Sequence, residues 1–176
     1  PYGVTERVGG SLRGADPATL LRVEGFGPSV ASRVETLKSL LGNAGPIDET
    51  TGLESKLLWR DIRDCAPFAD GTWRPVWRVS MTPSEAHKFV LALRMQAGCD
   101  AYYDWQGGLV WLRMEAEPEA DALRALLRQF GGGHATLIRA SPAWRAAVAT
   151  FEPEAPALAR LSARVKAEFD PKGLFN

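Results

Sequence analysis

The sequence predicts an α+β fold in which an antiparallel sheet carries its helices on one face. From residue 76 to residue 140 the patterns follow the order strand, helix, strand, strand, helix, strand. The two middle strands are joined by a short connection containing glycine, which is typical of an antiparallel hairpin. Both helices have a single apolar stripe, so each is expected to pack on the same layer.

The first strand and helix of this order cover residues 76–81 and 83–97. Apolar and polar residues alternate in the strand, as in a strand buried on one face. Thr82 and Glu85 have the spacing of a capping box around a helix start, and Gly98 is expected to end the helix. The residues predicted to form its buried stripe are Ala86, Phe89, Val90 and Leu93.

The second half of the order is a hairpin, a helix and a last strand. The hairpin strands cover residues 100–105 and 109–114. The helix begins at Pro118 and ends at the glycines of residues 131–133, and the last strand covers residues 134–140. This complete order predicts a split βαβ, or ferredoxin-like, core.

The flanking segments complete the predicted organisation. A strand from Thr19 and a helix ending at Leu41 are expected to extend the same sheet, residues 43–51 form a loop, and a helix covers residues 53–63. Residues 1–140 therefore form one domain around the core at 76–140. Residues 141–176 form a helical segment whose longer helix begins near Pro156, with a predicted buried stripe of Leu158, Leu161 and Val165.

Composition excludes several classes of function. Lys plus Arg and Asp plus Glu both number 21, so the net charge is zero and a nucleic acid partner is not expected. Cys65 and Cys99 are isolated, which argues against a metal site and indicates a reducing, cytoplasmic compartment. No apolar run has the length of a membrane span. The nucleotide-binding and hydrolase motifs based on glycine are also absent.

The two histidines are predicted to have different roles. His87 lies off the apolar stripe of its helix and is expected to be solvated. His134 opens a strand beside three glycines, where a side chain can project from the end of a sheet. It is a candidate functional imidazole, and the alternative is a plain strand-edge residue.

Arginines and aromatic residues are predicted to share the uncovered face of the sheet. Arg78 alternates to the face opposite Trp77, whereas Arg139 is expected on the face of Leu137. Each guanidinium needs an anion, which is either a protein carboxylate or the carboxylate of a substrate. Trp77 and Trp111 alternate with aliphatic residues and are predicted to be core residues. These observations leave the nature of the anion open.

The end of the chain and several internal blocks resemble one family. The helix before Asp170 leads into an Asp-Pro-Lys-Gly turn, which on its own is ordinary helix-stop chemistry. Together with five blocks in the same order, it resembles the FAD-binding E subunits of bacterial glycolate oxidases, which are FAD-linked oxidases of the vanillyl-alcohol oxidase type. The five blocks are residues 58–63, which are followed by Pro67 and Phe68, and residues 76–80, 103–105, 110–112 and 132–139.

The resemblance implies a cap domain from a longer flavoprotein. FAD would be bound mainly by an amino-terminal domain absent from this chain, and residues 141–176 would return to that domain. The implied chemistry is oxidation of a small 2-hydroxy acid such as glycolate, with electrons passing to an iron–sulfur subunit of a multisubunit complex. The complex would lie in the cytoplasm or at the cytoplasmic face of the inner membrane. This chain alone is expected to be inactive.

The resemblance also implies roles for individual residues. Asn176 would lie closest to the flavin, and Arg164 and Lys166 would anchor the returning helix as cofactor-binding residues. His134 and Arg139 are the catalytic candidates near the substrate or the flavin edge. The weaker candidates, for substrate binding, are Arg78 and Trp105. The alternative function is a ferredoxin-like assembly or protein-binding module without catalysis.

Overall fold

The structure, a computed structural model, describes residues 2–8 and 18–175. It divides into two compact units, Pro1–Asp70 and Gly71–Asn176. Asn176, the residue predicted to lie closest to a flavin, is outside the described residues.

The first unit contains a three-stranded antiparallel sheet and two helices. The strand order is β2-β1-β3, with β1 in the centre. A small core forms where Val30 and Val34 of the first helix pack on Val23 of the sheet. The elements are β1 (Tyr2–Val8), β2 (Thr19–Gly25), α1 (Gly27–Leu41), β3 (Ile47–Thr51), α2 (Gly52–Arg63) and a single-turn 3-10 helix (Ala66–Phe68).

Two predictions for this unit are wrong. Residues 43–51 are not all loop, because Ile47–Thr51 forms β3 and pairs with β1. The segment from Thr19 does not extend the sheet of residues 76–140, because β2 pairs with β1 in a separate sheet. In β3 only Ile47 and Thr50 are even partly buried, so this polar edge strand has little of the alternation that marks a strand in a sequence.

The second unit has the predicted element order. Its strands and helices begin and end close to the positions that the glycines, prolines and apolar spacing indicate. The elements are β4 (Val76–Met81), α3 (Pro83–Arg94), β5 (Cys99–Asp104), a single-turn 3-10 helix (Trp105–Gly107), β6 (Leu109–Met114), α4 (Ala120–Gln129), β7 (Gly133–Arg139), α5 (Pro142–Ala147) and α6 (Pro156–Phe169).

A four-stranded antiparallel sheet forms the base of this unit. The strand order is β5-β6-β4-β7, and each neighbouring pair is antiparallel. Alternate residues of the strands pack against α3 and α4, with Trp77, Phe89 and Leu123 completely buried between the layers. Each such side chain contributes roughly 2–3 kcal/mol through burial. The prediction of an α+β unit with an antiparallel sheet and helices is confirmed.

Local details of two helices differ from the predictions. The side chain of Thr82 makes no capping hydrogen bond, and the Glu85 carboxylate pairs with Lys88 at 3.0 Å instead. The predicted start of the helix is confirmed. Proline at the first helical position favours a helix start there without a capping side chain. The apolar stripe of α6 is not buried, because Leu158, Leu161 and Val165 are each at least half exposed. Every other residue of this helix is exposed as well.

Candidate functional site

The face of the four-stranded sheet opposite α3 and α4 carries polar and aromatic side chains. We call it the open face. The strand alternation that buries Trp77 and Val79 under the helices turns the intervening residues to this side. His134 is exposed, and the others are half-buried. The residues of the open face are Arg78, Ser80, Tyr102, Trp111, Arg113, His134 and Thr136.

One row of side chains crosses all four strands of the open face. Arg78 in β4 lies opposite Trp111 on one side and Thr136 on the other, and Trp111 lies opposite Tyr102. The rings of Tyr102 and Trp111 are stacked, with centroids 6.3 Å apart and planes at 18°. The row therefore places a guanidinium beside a pair of aromatic rings.

The two tryptophans predicted as core residues have different positions. Trp77 is completely buried, and its indole N–H donates to the carbonyl oxygen of Pro118 at 2.8 Å, so that prediction is confirmed. Trp111 lies half-buried on the open face, so its prediction is wrong. Its neighbours Val110 and Leu112 are the residues that face the helices. An aromatic residue that alternates with aliphatic ones can belong to either face of a sheet.

Arg78 contacts Trp105, the other predicted substrate-binding residue. Its guanidinium carbon lies 5.6 Å from the centroid of the Trp105 ring, which is cation–π geometry. Among the residues that the structure describes, Arg78 has no ion pair and no hydrogen bond through its guanidinium. Its N–H groups are thus available to an anion.

Arg113 shows the opposite situation on the same face. Its Nη2 and Nε lie 2.6 Å and 3.2 Å from one carboxylate oxygen of Asp100, the residue opposite it in β5. Sequence reasoning did not find this pair. Opposite charges at facing positions of the predicted hairpin were the signal that could have identified it.

The turn after β5 determines the position of Trp105. It is the first residue of the 3-10 turn and not, as predicted, the last residue of the strand. The Asp104 carboxylate accepts its backbone N–H at 2.7 Å. The indole is 60% exposed although it contacts Arg78.

His134 and Arg78 lie on the same face of neighbouring strands. His134 pairs with Ser80, two positions along β4 from Arg78, so the two are diagonal neighbours within reach of long side chains. His134 is exposed on the outer strand β7. His87 is exposed on α3, and the prediction of a solvated histidine is confirmed.

Arg139 lies further along β7 and is held by the backbone. A register shift places it opposite Val76, whereas Leu137 lies opposite Trp77. Val76 and Trp77 point to opposite faces, so Arg139 does not share the face of Leu137 as the alternation predicted. Its Nε donates to the carbonyl oxygen of Arg74 at 3.1 Å.

Arg164 and Lys166, the predicted cofactor anchors, lie on α6. Both are exposed, and they share this helix with its exposed apolar stripe. After the helix, the two carboxylate oxygens of Asp170 accept the backbone N–H groups of Leu174 and Phe175, each at 2.7 Å. The tail therefore has a defined turn that exposes apolar side chains.

Shifted pKa values occur on the other side of the sheet. Burial raises the pKa of the Cys99 thiol, and Arg94 partly opposes this effect. Burial also raises the pKa of the Tyr103 phenol, and the positive charge of Arg94 partly opposes this increase. Both residues lie opposite core residues of β6, Met114 and Val110, and neither belongs to the open face.

A shallow pocket of about 300 Å³ lies beside the start of α4. Its lining combines Glu117, Glu119 and Asp121 with Arg124 and Trp144. The Arg124 guanidinium already donates to two backbone carbonyl oxygens. The pocket is therefore a weaker candidate for a ligand-binding site than the open face.

Within residues 2–8 and 18–175, no group of three or more His, Cys, Asp or Glu side chains has the arrangement of a metal site. None of the described helices combines the length and apolar character required to cross a bilayer. Comparison of the chain with family models, with curated proteins and with solved structures finds no match in any of the three.

Proposed function

We propose that this chain is the carboxyl-terminal cap domain of an FAD-dependent 2-hydroxy-acid oxidoreductase subunit of the glycolate oxidase type. The observation that carries the proposal is the Arg78 guanidinium on the open face, which has no ion pair within residues 2–8 and 18–175 and lies beside the exposed ring of Trp105. A surface of this kind fits the carboxylate of a small acid at one side of a flavin site.

The proposed fold is ferredoxin-like. The element order from β4 to β7 is that of a split βαβ unit. The first and third strands of this order, β4 and β6, form the central pair of an all-antiparallel sheet. Both features support the assignment.

FAD would be held mainly by another domain. The chain has no glycine-rich phosphate cradle, whereas aromatic and cationic side chains of the open face suit the edge of a substrate site. The chemistry that FAD supplies when bound is acceptance of a hydride from the substrate carbon. Residues of this chain would do the rest: Arg78 would bind the carboxylate, and His134 would accept the hydroxyl proton. Arg139 would add positive charge further along the sheet.

The exposed helix α6 supports an additional covering role. Leu158, Leu161 and Val165 form an apolar stripe, and Arg164 and Lys166 give the same helix positive charge. A helix of this type is stable when its stripe packs on another surface. We assign that surface to the FAD-binding domain, with an iron–sulfur subunit as a further partner in a cytoplasmic complex.

The test is the visible spectrum of a longer gene product that contains this chain. We expect the longer product to bind flavin and to be yellow, and the chain of residues 1–176 to be colourless and inactive. A longer product that folds and contains no flavin would contradict the proposal.

The second candidate is a binding module without catalysis. The stacked rings of Tyr102 and Trp111 and the exposed Trp105 favour it, because aromatic residues are common at protein interfaces. The variants Arg78→Glu and Arg139→Glu, made in the longer gene product, separate the candidates. Loss of turnover by at least about tenfold with intact assembly favours a substrate site. Loss of assembly with normal folding favours a docking surface. Arg128→Glu, on the exposed side of α4, is the control.

A further inference from the structure

The connection between β5 and β6 contains two consecutive strained residues. Trp105 and Gln106 have φ angles of 51° and 58°, in the left-handed region that residues other than glycine rarely occupy. Such conformations persist only where the surroundings impose them, and they are common at binding sites.

Several contacts impose this turn. The Asp104 carboxylate accepts the Trp105 N–H at 2.7 Å, and the Gly108 N–H donates to the Trp105 carbonyl oxygen at 3.0 Å. The carbonyl oxygen of Gly108 accepts the N–H of Met81, which ties the turn to the end of β4. The Trp105 backbone is therefore fixed relative to the strand that carries Arg78.

Close packing also fixes the turn from its other side. Gly107 has a φ of 94°, and a Cβ atom there would lie 3.2 Å from the carbonyl oxygen of Pro83. The turn is thus seated against the first residue of α3. It has little room to move toward α3.

The contact that results does not contribute to the buried core. Trp105 is 60% exposed, and the centroid of its ring lies 5.6 Å from the guanidinium carbon of Arg78. A strained backbone that holds an exposed ring over a cation is better explained by orientation of that cation than by hydrophobic stabilisation.

We propose that Trp105 is a positioning residue, held over the open face by this left-handed turn, that fixes the Arg78 guanidinium for binding of one carboxylate. A fixed planar guanidinium offers two parallel N–H groups, which match the two oxygens of a carboxylate. Less side-chain entropy is then lost on binding. The inference rests on the proposed function, because it assigns the ligand class of the same open face.

The test follows the Nε–H resonance of Arg78 by NMR in the ¹⁵N-labelled chain while sodium glycolate or sodium acetate is added. A saturable shift that disappears in Arg78→Gln is expected. Trp105→Ala should weaken the apparent Kd about fivefold, and Trp105→Phe should restore most of the loss. Trp73→Ala, which removes another exposed tryptophan of the same unit, should leave Kd unchanged.

A second pair of variants tests the turn without removal of the indole. Gln106→Gly suits the positive φ and should keep the Kd, whereas the β-branched Gln106→Val opposes it and should weaken binding to about the same extent as Trp105→Ala. If Trp105→Ala fails to fold, the difference in Kd between these two variants still tests whether the left-handed turn positions Arg78.

The two acids distinguish the source of the carboxylate. Tighter binding of glycolate than of acetate is expected if the site takes a free 2-hydroxy acid. Equal affinities are expected if it takes an Asp or Glu side chain of a partner, which has no 2-hydroxyl group. An unmodified chain without a shift at Arg78, or variants of Trp105 and Gln106 that bind as tightly as the unmodified chain, would overturn the inference. The proposed function fails on another measurement, the flavin content of the longer product, so the two failures are distinguishable.

Discussion

The guanidinium of Arg124 lies over the ring of Trp77, with its carbon 5.3 Å from the ring centroid. Arg124 is buried in α4, and its Nη2 donates to the carbonyl oxygens of Ala149 and Phe151 at 2.7 Å and 2.9 Å. Its Nε lies 3.5 Å from a carboxylate oxygen of Glu152. One buried cation thus connects the core tryptophan to the segment that follows α5.

That segment protects the outer edge of the sheet. The N–H of Leu137 in β7 donates to the carbonyl oxygen of Thr150 at 2.8 Å, and the N–H of Ala135 donates to the Glu152 carboxylate at 3.4 Å. An uncovered outer strand exposes backbone groups that can pair with another chain. Arg124 therefore stabilises both the core and the edge of the sheet.

Arg124→Met is expected to lower the free energy of unfolding by about 3 kcal/mol, because it leaves the Glu152 carboxylate and two carbonyl oxygens without their partner. The measurement is the urea midpoint, followed by tryptophan fluorescence. Arg128→Met, on the exposed side of the same helix, should change stability by less than about 0.5 kcal/mol. Equal losses in the two variants would contradict the assigned role.

Much of the second unit could be predicted from the sequence because its local signals agree with its packing. The apolar residues of the Trp77 strand and the apolar stripes of α3 and α4 coincide with buried positions, and α3 begins at Pro83 as predicted. The first unit was harder, because β3 is polar and its pairing with β1 depends on contacts distant in sequence. Local periodicity carries no information about such a partner.

The site was predictable in part for a related reason. Alternation placed Arg78 on the face opposite Trp77, but it could not place Trp105, whose position depends on a left-handed turn of non-glycine residues. It also misplaced Arg139, because a register shift in β7 interrupts the alternation. In both cases the backbone departs from regular strand geometry, so the alternation of side chains between the two faces no longer predicts where a residue points.

Gly133 is a position where the fold requires glycine. Its φ is 148°, and a Cβ atom would lie 2.3 Å from the carbonyl oxygen of Ser80 in the neighbouring strand. Gly133→Ala should therefore reduce the free energy of unfolding by at least about 3 kcal/mol, as measured by thermal and urea denaturation. Gly132→Ala is the matched control, because its φ is also positive but no atom lies within 4 Å of the new methyl group. It should cost about 1 kcal/mol. Similar costs at both positions would exclude the clash as the cause.

The Cys99 thiol should titrate at a higher pH in the folded chain than in the unfolded one, because burial raises its pKa above the ordinary value of 9.0. Well below pH 9.0 the thiol is protonated in both the folded and the unfolded chain, and the burial of the neutral thiol stabilises the fold in full. As the pH rises further, the thiol of the unfolded chain loses its proton first. The free energy of unfolding therefore falls until the pH passes the pKa of Cys99 in the folded chain.

Alkylation by iodoacetamide, with each cysteine quantified by mass spectrometry, measures this titration. The rate at Cys99 should reach half its maximum above pH 9.0 in buffer, and near the ordinary value in 8 M urea as the internal reference. A folded midpoint at or below the urea midpoint would show that burial does not control the thiol.

Asp170 should control the conformation of the tail after α6. Because its carboxylate accepts the N–H groups of Leu174 and Phe175, Asp170→Ala is expected to accelerate hydrogen exchange at these two amides by about tenfold, with little change in the urea midpoint of the unit. Glu168→Ala, an exposed acidic residue of the same helix, should leave both amides unchanged. If the amides of the unmodified chain and of Asp170→Ala exchange at the same rate, the turn does not depend on this carboxylate.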